Sequence, residues 1–221
     1  MERRSFVLLA VVAGFGIHAC AQMPPDLAKI GGWTALIDGE HGLENWTRIG
    51  DANWRAEDGA IVAYRGRGGY LVSKGLYKDF QLRAEFWADP TTNSGILFRV
   101  TNPKRIGADN AYEVNISDRA TDPAYGTGAI VKYAKVAQPP KAGGKWNTVE
   151  ITAKGQQLVV VLNGVETVNI QHAKFARGAL ALEYGSGAKN VEGGPIKFRK
   201  VQVRPIEEPA KPASGGGSAS R

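Results

Sequence analysis

Residues 79–87, Asp79-Phe80-Gln81-Leu82-Arg83-Ala84-Glu85-Phe86-Trp87, alternate apolar and polar side chains without interruption. A period of two places Phe80, Leu82, Ala84 and Phe86 on one face of an extended strand and Gln81, Arg83, Glu85 and Trp87 on the other. No stretch of the chain shows a sustained 3.6-residue period with capping residues, which disfavours a core built from helices. Further short runs rich in β-branched and aromatic residues follow at 94–100, 112–116, 128–133, 147–153, 157–162, 165–170, 179–184 and 196–203. Asn163-Gly164 separates two of them and is the strongest short hairpin signal in the chain. Asp38-Gly39, Asp58-Gly59, Gly143-Gly144 and Gly193-Gly194-Pro195 mark other turns. The reading is an all-β domain over residues 30–206. A single open sheet of about a dozen strands would curl or split, so two packed antiparallel sheets are expected.

Composition narrows the classes further. With 43% apolar residues in 221, the chain can bury a core, and its single cysteine, Cys20, excludes an internal disulfide framework. The net charge is +7. Removing residues 1–21 takes away Glu2, Arg3 and Arg4 and leaves 26 basic against 20 acidic residues, a charge of +6. These basic residues are scattered rather than gathered in a stripe, which argues against a nucleic-acid partner.

The ends differ in character from the middle. Residues 1–21 read as an export signal: Arg3 and Arg4 precede the apolar run from Phe6 to Ile17, which is too short to span a bilayer. Ala19-Cys20-Ala21 fits cleavage after Ala21. Ile17-His18-Ala19-Cys20 also resembles a lipobox that would leave Cys20 as a lipidated N-terminus, and Arg3-Arg4-Ser5-Phe6 resembles a twin-arginine signal. All three readings lead to a bacterial envelope, either periplasmic, secreted or anchored at the outer membrane through Cys20. Residues 207–221 are mostly Pro, Ala, Gly and Ser and are expected to form a disordered tail.

Several segments in a fixed order resemble the DUF1080, or 3-keto-disaccharide hydrolase, family. They begin with Trp33-Thr34-Ala35-Leu36-Ile37-Asp38-Gly39 and Leu43-Glu44-Asn45-Trp46, followed by Trp54-Arg55-Ala56-Glu57-Asp58-Gly59. The most specific are Tyr77-Lys78-Asp79-Phe80 with its continuation to Phe86, and Asn93-Ser94-Gly95-Ile96-Leu97-Phe98-Arg99. Tyr112-Glu113-Val114-Asn115-Ile116, Thr127-Gly128-Ala129-Ile130, Trp146-Asn147, Leu162-Asn163-Gly164 and Ile196-Lys197-Phe198-Arg199 complete the series. The resemblance implies a concanavalin- or laminarinase-like jelly-roll sandwich that acts on 3-keto-glycosides. Where the family's penultimate strand carries a Gln-x-His type element, this chain reads Leu182-Glu183-Tyr184-Gly185.

A ketone at C3 of a sugar acidifies the proton on C2. One positioned base and one positive group near the ketone oxygen would then suffice to expel the C1 substituent. If the strands at 79–87, 94–100 and 112–116 adjoin, Glu85, Arg99 and Glu113 form one polar cluster. It reads either as a structural ion-pair network or as a catalytic group with Glu113 as base and Arg99 as charge stabiliser. An ordinary glycosidase with Glu85 and Glu113 as its two carboxyl groups stays open.

Asn93 and Asn115 share the faces of Arg99 and Glu113 and are candidate sugar ligands. Asp118 sits in a loop suited to sugar hydroxyls or a cation; with Glu113 it offers oxygen ligands that suit Ca2+, although no spaced ligand motif supports a metal. Trp87 and Tyr184 are candidate stacking platforms, and His172 a candidate acid–base or rim residue. Trp33, Trp46, Trp54 and Trp146 read as core. Gly66-Arg67-Gly68-Gly69 and Gly185-Ser186-Gly187-Ala188 open no helix, so a phosphate loop is excluded and rim loops are expected.

The expected partner is a carbohydrate. The rival readings are a non-catalytic carbohydrate-binding module and an envelope interaction protein that presents a flat apolar patch. The sequence leaves sugar identity and oligomeric state open.

Overall fold

The computed structural model describes residues 29–30, 32–185 and 193–206. The expected leader with Cys20, the expected tail and Ser186 to Ala188 lie outside the described residues. The strands are β1 (Lys29–Ile30), β2 (Trp33–Asp38), β3 (Trp46–Gly50), β4 (Arg55–Glu57), β5 (Ala60–Ala63), β6 (Gly68–Ser73) and β7 (Phe80–Ala88). They continue with β8 (Ser94–Val100), β9 (Tyr112–Ile116), β10 (Trp146–Lys154), β11 (Gln157–Leu162), β12 (Val165–Gln171), β13 (Ala179–Gly185) and β14 (Ile196–Pro205). Among the described residues the only helical segments are single 3-10 turns at Leu43–Asn45 and Pro123–Tyr125.

Two antiparallel sheets form, as expected. The nine-stranded sheet runs β1-β2-β14-β7-β10-β11-β12, with β5 also paired to β14 and β4 to β5. The five-stranded sheet runs β3-β6-β13-β8-β9. The inward rows pack between them: Phe80, Leu82, Ala84 and Phe86 of β7 with Val149 and Ile151 of β10 belong to the same buried cluster as Ile96 and Phe98 of β8, Tyr112 and Val114 of β9 and Leu180 and Leu182 of β13. Each large apolar side chain removed from water here contributes about 1.5–3 kcal/mol. This shared core makes the two sheets one sandwich.

Asn163 (φ 50) and Gly164 (φ 81) adopt the left-handed pair of a two-residue hairpin, and Asp58 (φ 52) and Gly59 (φ 73) do the same between β4 and β5. The run at 128–133 departs from expectation. Positive φ at Gly128 and Lys132 breaks it, and Ile130 is left with isolated bridges to Val114 and Ala134. β7 and β8, though consecutive, lie in different sheets. That separation decides where the candidate residues stand.

Candidate functional site

On β13 the alternation sends Leu180, Leu182 and Tyr184 into the core and Ala179, Ala181 and Glu183 to the outer face of the five-stranded sheet. Val72, Leu97, Val100, Ala111, Ala179 and Ala181 form a second buried cluster, packed by Ile49, Tyr70 and Ile106. Ile106 and Ala111 come from the segment between β8 and β9, so that segment covers part of this face.

Glu183 stands beside this apolar patch, directly opposite Tyr70 of β6. Glu113 of β9 pairs in register with Leu97 of β8. Gly95 provides the gap into which both carboxyl groups lean. A Cβ there would lie 3.0 Å from Glu113 Cγ, 3.1 Å from Glu113 Oε1 and 3.3 Å from Glu183 Oε2. The Tyr70 hydroxyl donates to Glu183 Oε1 at 3.3 Å.

Both glutamates are half-buried and hydrogen-bonded to each other. Two carboxylates in that position cannot both ionise cheaply, so the acid form is favoured. Burial, and then the charge of Glu183, push Glu113 up to about 8. Burial also raises Glu183, while hydrogen bonds from Glu113 and Tyr70 oppose the rise. Tyr70 is pushed up by burial and by both nearby carboxylates, so it keeps its proton at neutral pH. The group therefore offers one ionised carboxylate, one shared proton and one neutral O–H donor.

The expected cluster of Glu85, Arg99 and Glu113 does not form. Glu85 lies on the outer face of the nine-stranded sheet and accepts from Arg199 Nε at 2.6 Å. Arg99 is 1% exposed and takes φ 53, which turns its side chain into a loop-binding position. It donates to the carbonyls of Lys78 (2.8 and 3.0 Å), Gly155 (2.9 Å) and Phe175 (3.0 Å) and to Asp79 Oδ1 (3.2 Å). A guanidinium so engaged ties three loops together rather than meeting a substrate.

The other candidates also disperse. Tyr184 is wholly buried and donates to the Gly193 carbonyl at 3.0 Å, so it is no platform. Asn115 is buried and donates to the Tyr125 carbonyl. Asp118 accepts from Thr127 Oγ1 (2.7 Å), Ala142 N (3.0 Å) and Gly143 N (2.8 Å), which fixes loops with its carboxylate. Asn93 packs against Gly185, whose N–H donates to the Asn93 carbonyl at 2.9 Å. His172 Nδ1 lies 2.8 Å from the Tyr112 hydroxyl. Trp87 faces outward from the nine-stranded sheet, beneath Lys197. Trp46 and Trp54 are core, but Trp33 and Trp146 are not: Trp146 is 37% exposed and Trp33 is half-buried against two arginines. Among the described residues, no group of three or more His, Cys, Asp or Glu is gathered to hold a metal.

Of the candidates, Glu113 alone reaches the carboxylate pair. Glu183 and Tyr70 were missed. The available signal was Glu183 itself, a lone charge on the Ala179-Ala181 side of an otherwise apolar strand.

A family model described as the 3-keto-alpha-glucoside-1,2-lyase-like domain matches residues 32–204. No curated protein matches the sequence. Among solved structures, a protein of Parabacteroides distasonis ATCC 8503 named "Putative glycosyl hydrolase" superposes with a TM-score of 0.65 at 24% identity, over 79% of this chain and 99% of that one. A second so named, from the same organism, gives 0.67 at 18% identity over 84% and 99%. The carbohydrate-binding module CBM66 of Bacillus subtilis gives 0.53 at 15% identity over 72% and 95%. At these identities the likeness establishes the fold: a jelly-roll sandwich of two antiparallel sheets.

Proposed function

This chain belongs to the 3-keto-alpha-glucoside-1,2-lyase-like domain family, and from that membership we propose that it cleaves 3-keto-glycosides by elimination followed by hydration. The observation that carries the reading is the Glu113–Glu183 pair, half-buried and hydrogen-bonded on the outer face of the five-stranded sheet.

Glu113, when ionised, takes the proton from C2 of the keto-sugar. The electrons left on C2 delocalise onto the ketone oxygen, and the Tyr70 O–H, which lies beside the pair, is the neutral donor assigned to it. The enolate then expels the C1 oxygen, and the proton held by the pair passes to that leaving alcohol. Water adding across the new double bond restores a 3-keto-sugar, so the sum is hydrolysis. Tyr70 replaces Arg99 as the stabilising group, since Arg99 is committed to backbone carbonyls.

The spacing favours elimination over direct glycosidic displacement. Retaining glycosidases hold their carboxyl groups about 5–5.5 Å apart and inverting ones about 6.5–9.5 Å apart, with the sugar between them. Carboxyl groups that share a proton are closer than either arrangement allows.

The test is product formation by the purified protein from 3-keto-trehalose or a 3-keto-glucoside, beside the unoxidised sugars. Release of 3-keto-glucose from the oxidised substrate only, lost in Glu113→Gln by about a hundredfold or more, is the expected result. Cleavage of the unoxidised sugars would replace this reading with an ordinary glycosidase. Saturable binding without turnover would favour a carbohydrate-binding module, a role found on this fold in CBM66. The proposal includes export to the bacterial envelope. The N-terminus of the envelope protein would be Gln22 after cleavage behind Ala21, or lipidated Cys20 if the lipobox is read.

A further inference from the structure

The outer face of the nine-stranded sheet is built unlike a plain solvated sheet surface. At one end of it Trp146 and Trp87 are directly paired across β10 and β7, and Lys197 is paired with Trp87 from β14. Arg199 lies 4.3 Å over the Trp146 ring and Lys197 lies 5.6 Å over the Trp87 ring. At the other end, Trp33 is flanked by Arg83 and Arg204, each 4.7 Å from its centroid. Between these aromatic ends lies an open depression of about 390 Å³, lined by Arg83, Glu85, Thr148, Glu150, Lys200 and Gln202.

The charges here are unequal and unequally used. Five basic side chains, Arg83, Lys197, Arg199, Lys200 and Arg204, face three carboxylates. Glu85 is taken by Arg199 (2.6 Å) and Glu150 by Arg83 (3.3 Å). Asp38 stands opposite Lys200 in register. Among the described residues Lys197, Lys200 and Arg204 enter no ion pair.

We propose that this face is a second carbohydrate-binding surface, on the opposite side of the sandwich from Glu113 and Glu183, and that it takes an acidic polysaccharide chain bearing carboxylate groups. The Trp146 ring, 37% exposed at one end of the polar trough, offers the apolar area on which a pyranose ring packs. Thr148 and Gln202 supply hydrogen bonds for hydroxyls. The lysines left without carboxylate partners match the charge of a uronate-containing chain. A duplex nucleic acid fits less well, because two of the three arginines in the face are already paired with glutamates and the trough carries acidic walls.

The inference does not depend on the catalytic reading, since it is tested by binding. Affinity electrophoresis or calorimetry of the purified protein with polygalacturonate and with neutral dextran is the direct experiment. Saturable binding to polygalacturonate at least tenfold tighter than to dextran is expected. Lys200→Glu and Trp146→Ala should each weaken it fivefold or more, while Glu113→Gln leaves it unchanged. Both altered side chains reach solvent, and an unchanged melting temperature would confirm that the sandwich is intact. No binding, equal binding to dextran, binding of DNA as tight as that of polygalacturonate, or insensitivity to both substitutions would each overturn the proposal.

Discussion

Burial and the charge of Glu183 both favour the protonated form of Glu113, and this has a measurable sign. Glu113 shifts from an ordinary 4.5 to about 8 in the folded protein. The folded state therefore binds this proton more tightly than the unfolded chain. Its contribution to stability is complete below about pH 4.5 and is lost as pH rises towards 8. Glu113→Gln removes the ionisation. At pH 8.5 the variant should be more stable by about 2 kcal/mol, or roughly 5 °C in Tm, and the gain should vanish near pH 4.5. Thermal melts across that range would check it; a gain independent of pH would remove the titration as its cause. The rate should follow a bell, with an alkaline limb near the pH at which the shared proton leaves. Tyr70→Phe takes away a hydrogen bond that favours ionised Glu183, so the alkaline limb should move to higher pH. A downward shift would show that Tyr70 acts otherwise.

Arg99 illustrates what a single sequence hides at this scale. Its place in a strand-like run suggested a residue facing a sheet. A left-handed backbone and five hydrogen bonds instead bury it where three loops meet. Arg99→Met should cost about 3–5 kcal/mol in denaturant unfolding, because the carbonyls it serves would be left without donors. A loss below about 1 kcal/mol would mean that water replaces the guanidinium.

At the scale of strands, local chemistry was legible wherever one face met the core and the other met solvent. The bounds of β8, β9 and β11 coincide with their apolar runs, and the Asn163-Gly164 and Asp58-Gly59 turns carry their own φ requirements in their residue types. Gly164→Ala, at φ 81, should lower stability by about 1 kcal/mol with an unchanged denaturant slope. A changed slope would point instead to an altered denatured state. β5 was less legible, since all four of its residues are buried and no alternation marks it. The site was obscured for a different reason. Glu113 and Glu183 are 70 residues apart and meet only because β8 lies between β9 and β13. Strand order is a non-local property that spacing along the chain does not encode.

For the whole molecule, the decisive element is the last strand. β14 pairs with β2, β5 and β7 and sits within the nine-stranded sheet rather than at its edge. It adds Ile196, Phe198, Val201 and Val203 to the core. A chain ending before Ile196 should not give a cooperative unfolding transition in near-ultraviolet circular dichroism. The full chain should refold in milliseconds to seconds rather than microseconds, as long-range pairings demand. A cooperative transition in the shortened chain would show that β14 is dispensable. The same placement governs how the protein is made. While the ribosome still holds the C-terminal strand, β2 and β7 have no neighbour between them, and the sheet that backs the core stays open. The nascent chain can therefore remain loose for nearly the whole of its synthesis, the condition in which a polypeptide can still be threaded through a narrow translocation channel.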